Sequence, residues 1–126
     1  MNTFRWILAA ALAANAGWML VVPQGWYHAV PGVDLTGPLN LHFVRDIGCA
    51  YLVAAIGLAW RVLEPVRGAS AALVGATFLL LHAGVHVGET LAGICGWGTL
   101  LRDVPGVVLP AVAALALAWP ARRRPA

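Results

Sequence analysis

Four apolar runs occupy most of this chain and set the strongest limit on its fold. They cover residues 6–22, 41–60, 68–87 and 104–119 and contain few charged side chains. A membrane-spanning helix needs roughly 20 consecutive apolar residues, so four spans and short connections fill a chain of 126 residues. The sequence therefore predicts an all-α fold, an integral membrane four-helix bundle that forms one transmembrane domain over residues 1–126. The fourth span, at about 24 Å if fully helical, is expected to be short.

The composition is typical of a membrane protein and argues against nucleic acid as a partner. The chain is 61% hydrophobic and 10% charged, whereas soluble proteins average about 25% charged residues. Its net charge of +3 comes from arginine alone, since lysine is absent. The arginines lie at the ends of the apolar runs and do not form the basic stripe typical of nucleic-acid binding. The lipid bilayer is the expected partner, and nucleic acid is not.

The arginines also predict the orientation of the spans. If all four runs cross the membrane, the arginines divide six against two between its sides. The six are Arg5, Arg61, Arg67, Arg122, Arg123 and Arg124, and the other two are Arg45 and Arg102. The positive-inside rule then places both termini in the cytoplasm. Abundant alanine, glycine and arginine without lysine favours a bacterial inner membrane.

The first run also resembles a signal peptide, with Arg5 before a short apolar stretch and Ala14-Asn15-Ala16 as a cleavage site. Because the apolar run continues to Val22, we expect a retained helix.

Ionisable side chains gather on the predicted periplasmic side. His42, Arg45, Asp46 and Cys49 follow a spacing of i, i+3, i+4 and i+7 at the beginning of the second span. The third span ends with His82, His86 and Glu89 at i, i+4 and i+7. Such spacings place each set on one helical face, so the sequence predicts two facing polar stripes near Arg102 and Asp103.

Ionisable residues inside a membrane are costly and suggest a functional site. One hypothesis is a transition-metal site, since histidine and carboxylate ligands suit several such metals; its candidate ligands are His42, Asp46, His82, His86 and Glu89. Another is haem b held between His42 and either His82 or His86. A third is a proton relay or a pocket for a quinone or similar lipophilic ligand, with Arg45, Asp46, Glu89, Arg102 and Asp103 as candidates. The plain alternative is an interfacial network in which Arg45 pairs with Glu89 or Asp103.

Two smaller features add expectations. The pairs Arg45-Asp46 and Arg102-Asp103 open the second and fourth spans, which suggests two pseudo-repeated hairpins with the arginine of one pairing the aspartate of the other. Cys49 and Cys95 lie on the same side and form either a disulfide or, as we prefer, two free thiols; Cys49 is also a candidate soft metal ligand. The proline- and glycine-rich segment 23–40 is expected to form turns or a lid over the polar residues.

Residues 40–48 (NLHFVRDIG), followed by Ala50, Tyr51 and Leu52, resemble the small DoxX-like membrane proteins of bacteria. This resemblance implies mainly a four-helix membrane fold. Some proteins of that group are linked to quinone or sulfur oxidation. His82 and His86 do not map onto the group's pattern, so no catalytic residue is carried over.

Two functions follow from these patterns. The first is a small inner-membrane protein with a periplasm-facing polar cluster that binds a metal or a redox or lipophilic ligand such as a quinone. The second is a non-enzymatic accessory or assembly subunit that binds a larger membrane complex, or a second copy of itself, with the cluster serving structure. No nucleophile or nucleotide-binding motif occurs, and whether the chain is an enzyme stays open.

Overall fold

The computed structural model describes residues 1–119 of the chain, and all regular structure in that part is helical. The predicted all-α fold class is confirmed. The helices are α1 (Asn2–Val21), α2 (Pro23–Ala29), a 3-10 turn (Val33–Thr36), α3 (Leu41–Leu63), α4 (Gly68–Leu91), α5 (Trp97–Asp103), a π-helical turn (Val104–Val108) and α6 (Leu109–Ala118). The predicted basic tail at Arg122, Arg123 and Arg124 lies outside the described residues.

Four helices are long and apolar enough to cross a membrane: α1, α3, α4 and the continuous helix Trp97–Ala118, which α5, the π turn and α6 form together. This fourth helix has 22 residues, or about 33 Å at the usual helical rise. The expectation of a short fourth span beginning at residue 104 is wrong. Asp103 pairs with a histidine of α4, so the helix accommodates charged residues that the sequence pattern placed outside it.

A π-helical turn interrupts the fourth helix directly after Asp103. Pro105 lies in this turn; a proline lacks the backbone N–H and its ring crowds the carbonyl four residues earlier. The wider π turn lets the helix continue through that position. Such turns are frequent at functional sites, and Asp103 lies directly before this one.

Small residues let the long helices approach one another closely. A Cβ on Gly57 would lie 2.6 Å from the carbonyl oxygen of Ala71, and one on Gly75 would lie 2.7 Å from the Cα of Ala54. Gly48 of α3 meets α1 in the same way. These three glycines therefore lie where helices pack closely, whereas a Cβ on Gly84 would contact nothing within 4 Å.

Alanine dominates the buried interior, and larger apolar residues cover the outside. Five alanines are completely buried: Ala16, Ala72, Ala111, Ala114 and Ala118. Large apolar side chains on the spanning helices remain more than half exposed, among them Ile7, Val53, Ile56, Val74, Leu81 and Val112. An apolar exterior over a small-residue interior is the pattern of helices packed within lipid.

Contacts between neighbours show that consecutive long helices run antiparallel. Gly48, near the beginning of α3, packs on Met19 near the end of α1, while Gly57 of α3 meets Ala71 near the beginning of α4. One end of the molecule therefore carries His82, His86 and Asp103, and is called the histidine end. The opposite end carries Arg5, Arg61 and Arg67, and is called the arginine end.

Candidate functional site

His82 and His86 lie one turn apart on α4 and are both partly buried. Their rings meet edge to face, with centroids 5.0 Å apart. The i, i+4 spacing correctly predicted that these two side chains share a face. That face is directed towards α3 and the fourth helix.

Asp103 of the fourth helix contacts His86 directly. The distance between Nδ1 of His86 and Oδ2 of Asp103 is 2.8 Å, and the two side chains are 22% and 14% exposed. A carboxylate in this position accepts a hydrogen bond from Nδ1–H, which fixes the tautomer and orientation of the ring. Nε2 of His86 is then the nitrogen left to meet a ligand.

Aromatic rings surround His82. It stacks on Phe78, one turn earlier in α4, with an interplanar angle of 20° and centroids 6.1 Å apart. Tyr51 of α3 presents its ring edge-on to both Phe78 and His82, at 5.6 Å and 5.9 Å. The histidine pair is therefore bounded on one side by flat aromatic surfaces.

Arg102 and the segment between α1 and α3 close the histidine end. The Nε of Arg102 lies 3.5 Å from Oδ1 of Asp103. The guanidinium group packs against Gly32, which has a φ of +83° and is so close that a Cβ there would overlap it. Glycine alone meets both requirements without strain.

Two aromatic side chains hold the same segment in place. Trp26 fastens it to α1 by donating from its indole Nε1 to the side-chain oxygen of Asn15 at 2.9 Å. The Tyr27 hydroxyl donates to the carbonyl of Gly37 at 2.5 Å and joins two parts of the segment itself. The segment thus consists of short helical turns packed against the histidine end, which agrees with the expectation of turns over the polar residues.

The polar stripe predicted on α3 does not join this site. His42 is 88% exposed and contacts only Asp46, whose side chain is 58% exposed, at 3.4 Å. Cys49 is also exposed, and the Nε of Arg45 donates to the backbone carbonyl of Leu20 at 3.3 Å. The prediction of two facing stripes is wrong, because the face of α3 that packs inward carries Val44, Gly48 and Tyr51.

The proposed metal ligands are consequently not assembled. Within residues 1–119, no group of three or more histidine, cysteine, aspartate or glutamate side chains is placed to hold a metal ion. His42 and Asp46 are exposed and contact each other, and the five-residue metal set does not form. Haem ligation by His42 together with His82 or His86 does not match the geometry for the same reason.

Glu89 and the cysteines make contacts of another kind. The carbonyl of Glu89 accepts bonds from the backbone of Ile94 and Cys95 and closes the turn after α4. The Cys95 thiol lies 3.8 Å from Oε2 of Glu89. Both Cys49 and Cys95 are free thiols, since Cys49 faces outward from α3 while Cys95 is held in this turn.

The two Arg-Asp pairs differ in their surroundings. Arg45 and Asp46 bond within the α1–α3 region, whereas Asp103 bonds His86 and lies beside its own neighbour Arg102. The prediction that the arginine of one hairpin pairs with the aspartate of the other is wrong. Arg45 pairs with neither Glu89 nor Asp103.

Sequence reasoning missed Tyr51, Phe78 and Gly32 as parts of the histidine end. Phe78, His82 and His86 follow a spacing of four residues, so extending the α4 stripe by one turn would have found Phe78. Tyr51 lay in the buried stripe of α3, which no polar pattern marks. Comparison with known proteins adds no relative: no family model, no curated protein and no solved structure matches the chain.

Proposed function

We propose that this chain is a small multi-pass membrane protein that binds the head group of a quinone-like lipophilic ligand at His82, His86 and Asp103. The observation that carries the proposal is the mostly buried His86–Asp103 pair, which adjoins His82 and its aromatic neighbours Tyr51 and Phe78. Pockets for lipophilic ligands are mainly apolar and aromatic, with a few polar groups that fix orientation.

The chemistry of such a head group fits the residues present. A quinone offers a flat ring, which stacks on aromatic side chains, and carbonyl oxygens, which accept hydrogen bonds. His82 supplies an imidazole N–H donor. His86 donates its Nδ1–H to Asp103, which holds the ring in one orientation, and in its imidazolium form it also donates Nε2–H to a quinone carbonyl. A histidine paired with a carboxylate also exchanges protons readily, which a ligand whose reduced form carries protons requires.

The arrangement favours such a ligand over a metal ion. A metal site needs three or more ligands around one point, whereas one quinone carbonyl needs a single oriented donor. A set of three or more such ligands is not found among residues 1–119. The His86–Asp103 pair does provide a single oriented donor.

The proposal includes a place in the cell. We propose a four-helix bundle in a bacterial inner membrane with both termini in the cytoplasm and the histidine end towards the periplasm. Support comes from the arginines, of which six follow or precede spans on one side and two on the other. The resemblance to DoxX-like proteins stays a prediction; it agrees with this layout and with a quinone ligand.

Titration of the purified protein with a short-chain quinone, followed through quenching of tryptophan fluorescence, tests the proposal. We expect saturable binding that weakens at least about tenfold in His86→Ala, the loss typical of a hydrogen bond in a charged pair. His42→Ala is the matched control, because it removes an exposed histidine that also lies beside an aspartate. Equal affinities in the two variants would contradict the proposal and favour the accessory-subunit alternative, in which the polar residues serve structure.

A further inference from the structure

Two buried arginines lie at the arginine end, away from the proposed quinone site. Arg5 of α1 and Arg61 of α3 are only 6% and 7% exposed. The antiparallel register of these helices, in which Gly48 packs on Met19, places the two residues at the same level of the bundle. Arginine is almost never fully buried unless it is paired. The surroundings of these two side chains therefore require an explanation.

Arg5 uses part of its hydrogen-bonding capacity within the protein. Its Nε donates to the carbonyl of Leu117 at 2.8 Å, and its Nη1 donates to the side chain of Asn2 at 2.9 Å. Both acceptors are neutral, and a guanidinium carries more N–H donors than these two bonds use. The positive charge of Arg5 is not balanced by these contacts.

The Nε donor of Arg61, unlike that of Arg5, is buried and has no hydrogen-bond partner among residues 1–119. A buried donor without a partner carries the full cost of its lost hydration. None of the ion pairs found in the described part of the chain includes Arg5 or Arg61.

Little negative charge is available nearby. Of the five acidic residues, only Glu64 belongs to the arginine end by its position in the sequence, and its side chain is exposed. Arg67 adds a further positive charge. Three arginines against one glutamate give the described part of this end a positive potential, which attracts an anion.

We propose that Arg5 and Arg61 together bind one phosphate group at the arginine end. A guanidinium matches phosphate oxygens with paired, charge-assisted hydrogen bonds. The phosphate belongs either to a phospholipid head group or to a free phosphate ion, since both offer the same oxygens. Its binding supplies the negative charge that the described residues lack.

Native mass spectrometry of the delipidated protein in mild detergent tests this site without any substitution. The probes are phosphatidylglycerol, diacylglycerol with the same acyl chains, and inorganic phosphate. We expect phosphatidylglycerol to be retained at least about tenfold better than diacylglycerol, which lacks the phosphate. Displacement of the lipid by inorganic phosphate would identify a site for the free ion; retention of the lipid would identify a head-group site. Equal retention of phosphatidylglycerol and diacylglycerol would overturn the proposal.

Substitution separates this site from general surface charge. Arg61→Gln is expected to reduce phosphatidylglycerol retention at least about tenfold, and Arg67→Gln, which removes an exposed charge at the same end, to change it less than about twofold. Arg61→Lys, which keeps the charge but not the paired geometry, should fall between them. Equal losses in Arg61→Gln and Arg67→Gln, or no loss in Arg61→Gln, would overturn the proposal. Helix content from circular dichroism shows whether each variant is folded. If Arg61→Gln does not fold, the comparison of phosphatidylglycerol with diacylglycerol on the wild-type protein decides the outcome.

Discussion

His86–Asp103 and His42–Asp46 join the same two residue types in different surroundings. The first pair links two helices and is mostly buried, whereas the second lies along one helix with His42 88% exposed. Partial burial strengthens an interaction between charged or polar groups, and solvent screens an exposed one. The contact between α4 and the fourth helix therefore matters more to the protein than the contact along α3.

Asparagine substitutions measure this difference directly. We expect Asp103→Asn to lower the free energy of unfolding by about 1–3 kcal/mol, since His86 loses its charged partner in a half-buried site. Asp46→Asn should change it by less than about 0.5 kcal/mol. Unfolding in mixed micelles, followed by circular dichroism, gives both values; a larger loss in Asp46→Asn would be inconsistent with the packing of this end.

At the scale of the helices, the sequence predicted where the second and third spans begin but not which faces they bury. The second and third spans were expected to begin at residues 41 and 68, and α3 and α4 begin at Leu41 and Gly68. Turn and cap residues mark these points: the side chain of Asn40, for example, accepts a bond from the backbone of Phe43. Local signals of this kind are readable from sequence.

Helix rotation depends on contacts between distant residues and is harder to predict. The polar spacing of α3 correctly identified one face, but close approach at Gly48, Gly57 and Gly75 turns another face inward. In α4 the polar face and the packing face adjoin, so His82 and His86 do reach the interior. The fourth helix was predicted too short because the charged residues Arg102 and Asp103 resemble a loop in the sequence. Only the structure shows that Asp103 pairs with His86.

The contact between α3 and α4 gives a prediction at this scale. Gly57→Ala should lower the free energy of unfolding by about 1–3 kcal/mol, because the new Cβ meets the backbone of Ala71 and forces the helices apart. Gly84→Ala is the control: its Cβ meets nothing within 4 Å, and alanine favours the helix by up to about 1 kcal/mol. Similar losses in both variants would show that α3 and α4 do not pack through Gly57.

The whole molecule has two chemically different ends. The histidine end carries the proposed quinone site, while the arginine end has an excess of positive charge and two buried guanidinium groups. If arginines mark the cytoplasmic side, the turn that contains Cys95 faces the periplasm.

Thiol labelling tests this orientation with the chain's own cysteines. A membrane-impermeant maleimide, added to intact spheroplasts without reductant, should label Cys95 in a Cys49→Ala variant. It should not label Cys49 in a Cys95→Ala variant, since Cys49 lies within a span and is expected to face lipid. If Cys95 is labelled only after the membrane is permeabilised, the orientation is the opposite of the one proposed.

The amount of quinone that copurifies with the protein from bacterial membranes tests the proposed function most directly. Extraction and chromatography of equal amounts of wild type, His86→Ala and His42→Ala should find similar quinone in the wild type and in His42→Ala. In His86→Ala the quinone should fall at least about tenfold, because the oriented donor of the site is lost. Equal quinone in all three proteins, or none in the wild type, would contradict a quinone site at His82, His86 and Asp103.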